Sequence, residues 1–204
     1  IKVGVNFSAL LYSLERSPHK NIRLTVDYPE LIERIMQRLT TDPKYEVHLV
    51  PHVIASPDAQ IDLDGHYEDD YTLALQLKER FPEVHLPDRF ASPSAAKTYI
   101  AALDLFMGSR MHATIAALSS ETAVLPLGYS RKFNGLFESL GYARNADMTR
   151  ISTDAAIEQL ERSLVEWPAM QTEAAQAFAE AKRRLVSYED FLDQTMAGLA
   201  KIHA

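Results

Sequence analysis

Arg110 and His112 stand two positions apart behind a Gly–Ser pair, and Lys132 follows at the start of the next helical pattern. A permanently charged guanidinium holds phosphate or carboxylate in a fixed fork, an imidazole gains or loses a proton near neutrality, and a lysine adds a compact positive charge. Together these side chains suit the holding of a small anion and a proton transfer beside it. The run from Phe106 to His112 reads as a strand end, a tight Gly108 turn, Ser109 as the N-cap and the first turn of a helix. A helix start presents free N–H groups and a partial positive charge, which together with a guanidinium make an anion site. The plainer reading is that Arg110 pairs with a surface carboxylate and His112 packs in the turn. Lys132 follows Tyr129 and Ser130 at the next helix start, where a solvated lysine is the bland alternative and Arg131 reads as surface. His52, after Pro51, is either pocket-lining or a hydrogen-bonded loop histidine. His48 precedes it on a strand-to-loop segment with no third ligand, so no metal site is expected.

These residues need a scaffold that collects them. Short β-branched runs alternate with helical patterns, as in successive βα units around a parallel sheet. The expected strands are Ile1–Phe7, Tyr45–Val50, Val84–Leu86, Leu105–Gly108 and Ala123–Leu127. Between them, apolar residues recur at three- and four-residue spacing: Leu31, Ile32, Ile35, Met36 and Leu39; Leu73, Leu77 and Phe81; Ala96, Tyr99, Ile100 and Leu103. Phe133, Leu136, Phe137 and Leu140 form a further face, which Gly141 closes as a C-terminal cap. The predicted fold is a Rossmann-like three-layer α/β domain with about five to six parallel strands. In such sheets ligands sit beyond the carboxyl ends of the strands. Asn6 and Ser8, Pro51 and His52, Ser109 to His112, and Tyr129 to Lys132 all fall on that edge.

Residues 1–150 are thus expected to form the α/β domain, which the resemblance described below makes the donor-binding one. Residues 151–204 are expected to form C-terminal helices, packed on it or crossing to an N-terminal domain outside the sequence, with Pro168 dividing one helix from a longer Ala-rich one. The start at Ile1, without methionine and directly on a strand, suggests a piece of a longer protein. Two loops exceed an ordinary βα connection: Ser8–Asn21, and Ser56–Asp70, whose acidic end Glu68–Asp70 reads as a solvated helix start.

Composition narrows the function. The 204 residues are 47% hydrophobic and 24% charged, as in an ordinary globular protein. A net charge of −7 opposes nonspecific nucleic-acid binding. The absence of cysteine excludes disulfides, thiolate metal sites and a cysteine nucleophile. No run approaches the ~18 apolar residues of a spanning helix, and a cytoplasmic location is expected, free or at the inner face of the membrane. There is no GxGxxG, GxxxxGK[ST] or GxSxG pattern, so dinucleotide redox chemistry and serine hydrolysis lose ground.

Val3–Leu11 (VGVNFSALL), Asp27–Ile32 (DYPELI), Val47–Val53 (VHLVPHV) and above all Asp104–Phe133, with SRMHA followed by GYSRK, resemble the polysaccharide pyruvyl transferase family. The resemblance runs from the first strand to about Gly141. It implies one half of a GT-B-type fold, the C-terminal, donor-side domain, with the acceptor helped by a missing N-terminal domain of the same protein. It implies transfer of a pyruvyl group from phosphoenolpyruvate to a sugar of a bacterial cell-surface or exported polysaccharide, forming a ketal, with phosphoenolpyruvate as co-substrate, no cofactor, and an acceptor either free or lipid-linked. Arg110 would hold the donor's anionic groups and His112 would be the acid or base. Lys132, Ser130 and Ser109 would assist, and Ser8 and His52 would line the pocket. Met111 stands where leucine is more frequent. The competing readings are a GT-B glycosyltransferase domain using a nucleotide-sugar, and a non-catalytic binding domain of the same fold.

Overall fold

The computed structural model describes residues 1–16, 21–55 and 68–202, with side chains to 196. A five-stranded sheet is built from β1 (Lys2–Asn6), β2 (Glu46–Leu49), β3 (Leu105–Gly108), β4 (Ala123–Gly128) and β5 (Ala146–Asp147). The order is β2-β1-β3-β4-β5 and every pairing is parallel. Helices α1 (Ala9–Tyr12), α2 (Tyr28–Thr40), α3 (Asp70–Arg80), α4 (Pro93–Ala101), α5 (Met111–Leu118), α6 (Arg131–Ser139) and α7 (Thr153–Ile202) complete the Rossmann-like three-layer architecture.

Strand burial explains the layering. β3 is buried at every position, as a strand covered on both faces must be. Leu105 and Met107 join Val3, Val5, Leu31, Ile35 and Leu160 in one cluster. Phe106, one residue out of phase, points the other way into Ile100, Ala113, Ala117, Phe133 and Phe137. Asp27 caps α2 by accepting from the Glu30 amide, with Pro29 in the first turn. Gly141 takes φ +75° after α6, the left-handed C-cap that its position predicts.

Three expectations change. Val84–Leu86 is not a strand of the sheet: Pro82 and Pro87 bracket it, and it makes only one bridge, His48 to His85, on the outer side of β2. The fifth strand is instead Ala146–Asp147, too short to leave a periodic signal. Pro168 does not divide the tail. It lies inside the continuous α7. Proline in a helix interior costs about 3 kcal/mol, but Leu160, Leu164, Met170 and Ala174 around it are buried, and each large apolar side chain removed from water contributes ~1.5–3 kcal/mol. Beyond residue 182 the helix leaves the domain and exposes Leu185, Val186, Tyr188, Phe191, Leu192 and Met196. Of the two long loops, the first holds α1 and a 3-10 turn at Leu14–Arg16, and most of the second lies outside the described residues. No described helix is long and apolar enough to cross a membrane.

Candidate functional site at the carboxyl edge of the sheet

The strand order reverses at β1, where β2 lies on one side and β3 on the other. In open α/β sheets such a switch point is where ligands settle, beyond the carboxyl edge. Asn6, buried at the end of β1, spans it: its Nδ2 donates to Val50 O at 2.9 Å and its Oδ1 accepts from Arg110 N at 3.0 Å. Gly108 permits this approach, since a Cβ there would meet Asn6 Cβ at 3.2 Å and the Phe106 ring at 2.9 Å. A second buried chain lies behind it. The Ser8 amide donates to Tyr28 Oη at 2.9 Å, and Tyr28 Oη shares a hydrogen bond of 2.6 Å with Ser109 Oγ. Burial pushes the Tyr28 phenol well above its ordinary range, so it stays protonated.

Ser109 is therefore not the N-cap of α5. Its hydroxyl is taken by Tyr28, and Arg110 occupies the cap position without a side-chain cap bond. Arg110 itself is buried and bound to Asp70, not to a surface carboxylate. Nη2 lies 2.8 Å from Oδ1 and Nε lies 3.1 Å from Oδ2, while Nη2 also donates to Glu68 O at 3.2 Å. Burial alone would ease proton loss from the guanidinium, but the Asp70 hydrogen bonds and charge outweigh it and hold it above its ordinary value. The carboxylate neutralises the charge that the sequence offers to a ligand. Nη1 makes no hydrogen bond among the described residues.

The acidic run at the start of α3 is correspondingly not a solvated one. Asp69 and Asp70 are both buried. Asp69 caps α3 by accepting from the Tyr71 amide and from Thr72 Oγ1. Asp70 accepts from Ala9 N at 3.0 Å and Val53 N at 3.0 Å as well as from Arg110. Nothing in the sequence marks either residue as part of a site, because acidic runs at helix starts are ordinary.

Two imidazoles remain at the mouth. His112 is exposed in the first turn of α5, and its ring centroid lies 6.3 Å from that of half-buried His52, the planes inclined by 19°. Burial lowers the proton affinity of His52, His112 and Arg110 lower it further, and Asp70 opposes them. His48, stacked on His85, is lowered in the same sense by burial first. Both histidines start from an unfolded value of 6.5 and fall below it in the native state. The unfolded chain thus binds more protons as pH drops through 6.5, and stability declines until the native rings titrate. Urea midpoints measured from pH 7.5 to 5 should fall on acidification, and His52→Gln should flatten part of that slope.

The groups at this edge that suit an anion are the helix starts. α5 and α6 emerge from neighbouring strands, and neither carries a side-chain cap bond, Ser130 at the cap of α6 included. Their first N–H groups and partial positive charges face the edge. Lys132 is exposed in the first turn of α6. Ser8 is buried and caps α1 by accepting from Leu11 N at 3.4 Å. The structure thus brings His52, His112 and the two helix starts to the mouth, and turns Ser8 and Ser109 inward. No group of three or more metal-ligating side chains forms among the described residues.

Residues 9–131 match the family model described as polysaccharide pyruvyl transferase. No curated protein matches the chain. Among solved structures, the glycotransferase of kitacinnamycin is 15% identical with a TM-score of 0.52, covering 95% of this chain and 43% of its own. The glycosyltransferase SnogD from Streptomyces nogalater is 13% identical with a TM-score of 0.40, covering 91% and 43%. The chain thus spans less than half the length of either, and the first likeness is one of fold, that of one half of a GT-B arrangement.

Proposed function

Because this chain belongs to the polysaccharide pyruvyl transferase family, we propose that its sheet edge binds phosphoenolpyruvate and transfers the pyruvyl group to two hydroxyls of a saccharide. The observation that carries this reading is the placement of His112, exposed beside His52, at one of two neighbouring uncapped helix starts. The α5 and α6 N-termini and Lys132 receive the phosphate and carboxylate. Arg110 contributes only the Nη1 edge that Asp70 leaves, and Ser130 offers its hydroxyl at the α6 cap.

The chemistry needs one protein group that moves a proton. A sugar hydroxyl adds to C2 of the enol, C3 takes a proton and becomes a methyl group, and the hydroxyl proton passes to a base. The second hydroxyl then displaces phosphate from C2, its proton leaving with the phosphate, and the ketal closes. No oxidant, reductant or further cofactor enters. His112 carries that proton, taking it from the hydroxyl and passing it to C3, so the one imidazole ends the addition as it began it, with His52 stacked beside it.

In this reading the acceptor is held by a facing N-terminal domain, and the apolar stripe of α7 from Leu185 to Met196, exposed here, is the surface that would meet it. Residues 1–150 are then the donor-binding domain. Phosphoenolpyruvate is a cytoplasmic metabolite, which puts the reaction there or at the inner membrane face when the acceptor is lipid-linked.

Calorimetric titration tests the donor. Phosphoenolpyruvate should bind, a uridine diphosphate-sugar should not compete, and Lys132→Ala should weaken binding by about ten- to a hundredfold, the loss of one charge-assisted contact worth ~1.5–3 kcal/mol. Preference for the nucleotide-sugar would overturn the reading.

A further inference from the structure

We infer that Asp70 is the positioning residue of this site, the carboxylate that fixes the loops after β1, β2 and β3 relative to one another and aims Arg110. The inference rests on the reading of the edge as a phosphoenolpyruvate site. Each of those loops meets Asp70 through a different donor. Ala9 N, after β1, lies 3.0 Å from Oδ1. Val53 N, after β2, lies 3.0 Å from Oδ2, with His52 N at 3.4 Å. Arg110, after β3, brings Nη2 to 2.8 Å from Oδ1 and Nε to 3.1 Å from Oδ2. The Asp70 side chain is 0% exposed, and its own amide donates to Val53 O at 2.8 Å.

Every partner of the carboxylate is a donor, so no other side chain of its size satisfies them. An asparagine in either amide orientation turns an NH2 group against N–H donors. Glutamate keeps the charge and both acceptors, but its extra methylene shifts them off the three sets of donors. Asp70 is also the group that decides how much of Arg110 is offered outward, because it engages Nε and Nη2 and leaves Nη1. It touches no reacting atom in this scheme. It acts through Arg110 and the backbone that carries His52, and a misplacement of about 1 Å in such groups can cost ~100-fold.

Ala9→Pro separates positioning from charge. Ala9 is the first residue of α1, where proline is accommodated, and Ser8 before it already holds φ −90° and ψ 115°, the extended conformation that a residue preceding proline prefers. The ring replaces the N–H and puts a methylene in the place of the Oδ1 contact, altering no charge and no residue of the mouth. Two measurements are made on the wild type, Ala9→Pro, Asp70→Asn and Asp70→Glu: affinity for phosphoenolpyruvate, and the ring resonances and titration midpoint of His52 by NMR. Ala9→Pro and Asp70→Asn are expected to weaken phosphoenolpyruvate binding by about tenfold or more and to shift the His52 ring signals, Asp70→Asn moving the midpoint to lower pH, with Asp70→Glu recovering part of both. Wild-type affinity and unmoved His52 signals in folded Ala9→Pro would overturn the role of Asp70. If Asp70→Asn fails to fold, Ala9→Pro alone decides. If the wild type itself takes up no phosphoenolpyruvate, the donor reading falls, while the His52 signals still report whether Asp70 sets the loops.

Discussion

His112→Ala in the whole protein is expected to lower phosphate release from phosphoenolpyruvate by about 10²–10⁴-fold, the ordinary contribution of a positioned acid or base. The fold should not notice. The side chain is exposed in the first turn of α5 and makes no hydrogen bond to another described residue, and substitutions of that kind stay within about 0.5 kcal/mol. Donor affinity should change little, because the anion contacts come from helix starts and Lys132. A variant with full activity would remove His112 from the chemistry and favour a binding domain that keeps the fold. A variant that loses donor affinity and activity in the same ratio would make His112 a binding residue. His52→Gln is the useful companion: if His52 only neighbours the active ring, its loss should shift the pH profile more than the maximum rate.

Arg110→Ala is expected to behave quite differently. Removing one partner of a buried ion pair leaves the other charge uncompensated, which costs about 3–5 kcal/mol. Here the orphan is Asp70, fully enclosed and left with only backbone donors. Urea unfolding should show that loss directly, and a domain of ordinary stability, ~5–15 kcal/mol in total, becomes marginal. Lost donor binding in Arg110→Ala is then no evidence of contact with the donor, which is why Lys132→Ala is the cleaner binding variant. A melting profile equal to the wild type would show that Asp70 finds another partner and that the guanidinium is free to hold a ligand.

The scaffold was legible because its signals are local. Short apolar runs marked β1, β2, β3 and β4, and three- and four-residue spacing marked α2 and the Phe133 to Leu140 face of α6, ended at Gly141. The edge rule then collected Ser8, His52, Ser109, Arg110, His112, Ser130 and Lys132 without reference to contacts. What stayed hidden depends on partners far away in the chain. Asp70 lies 40 residues from Arg110 and Tyr28 lies 81 from Ser109, so neither bond leaves a trace in spacing. An acidic run before a helix reads as solvated, and the same carboxylate turns out to neutralise the most prominent cation. Pro168 shows the same limit in reverse: a strong local breaker is overridden by the burial of Leu164 and Met170 on either side.

The central claim is that the starts of α5 and α6 form the phosphoenolpyruvate site. It is tested most directly by titrating phosphoenolpyruvate into the isotopically labelled chain and following backbone amides by NMR. The account predicts saturable shifts concentrated at Met111, His112 and Ala113 and at Arg131 and Lys132, absent with a uridine diphosphate-sugar. Shifts confined to other surfaces, or the same shifts produced only by the nucleotide-sugar, would contradict it.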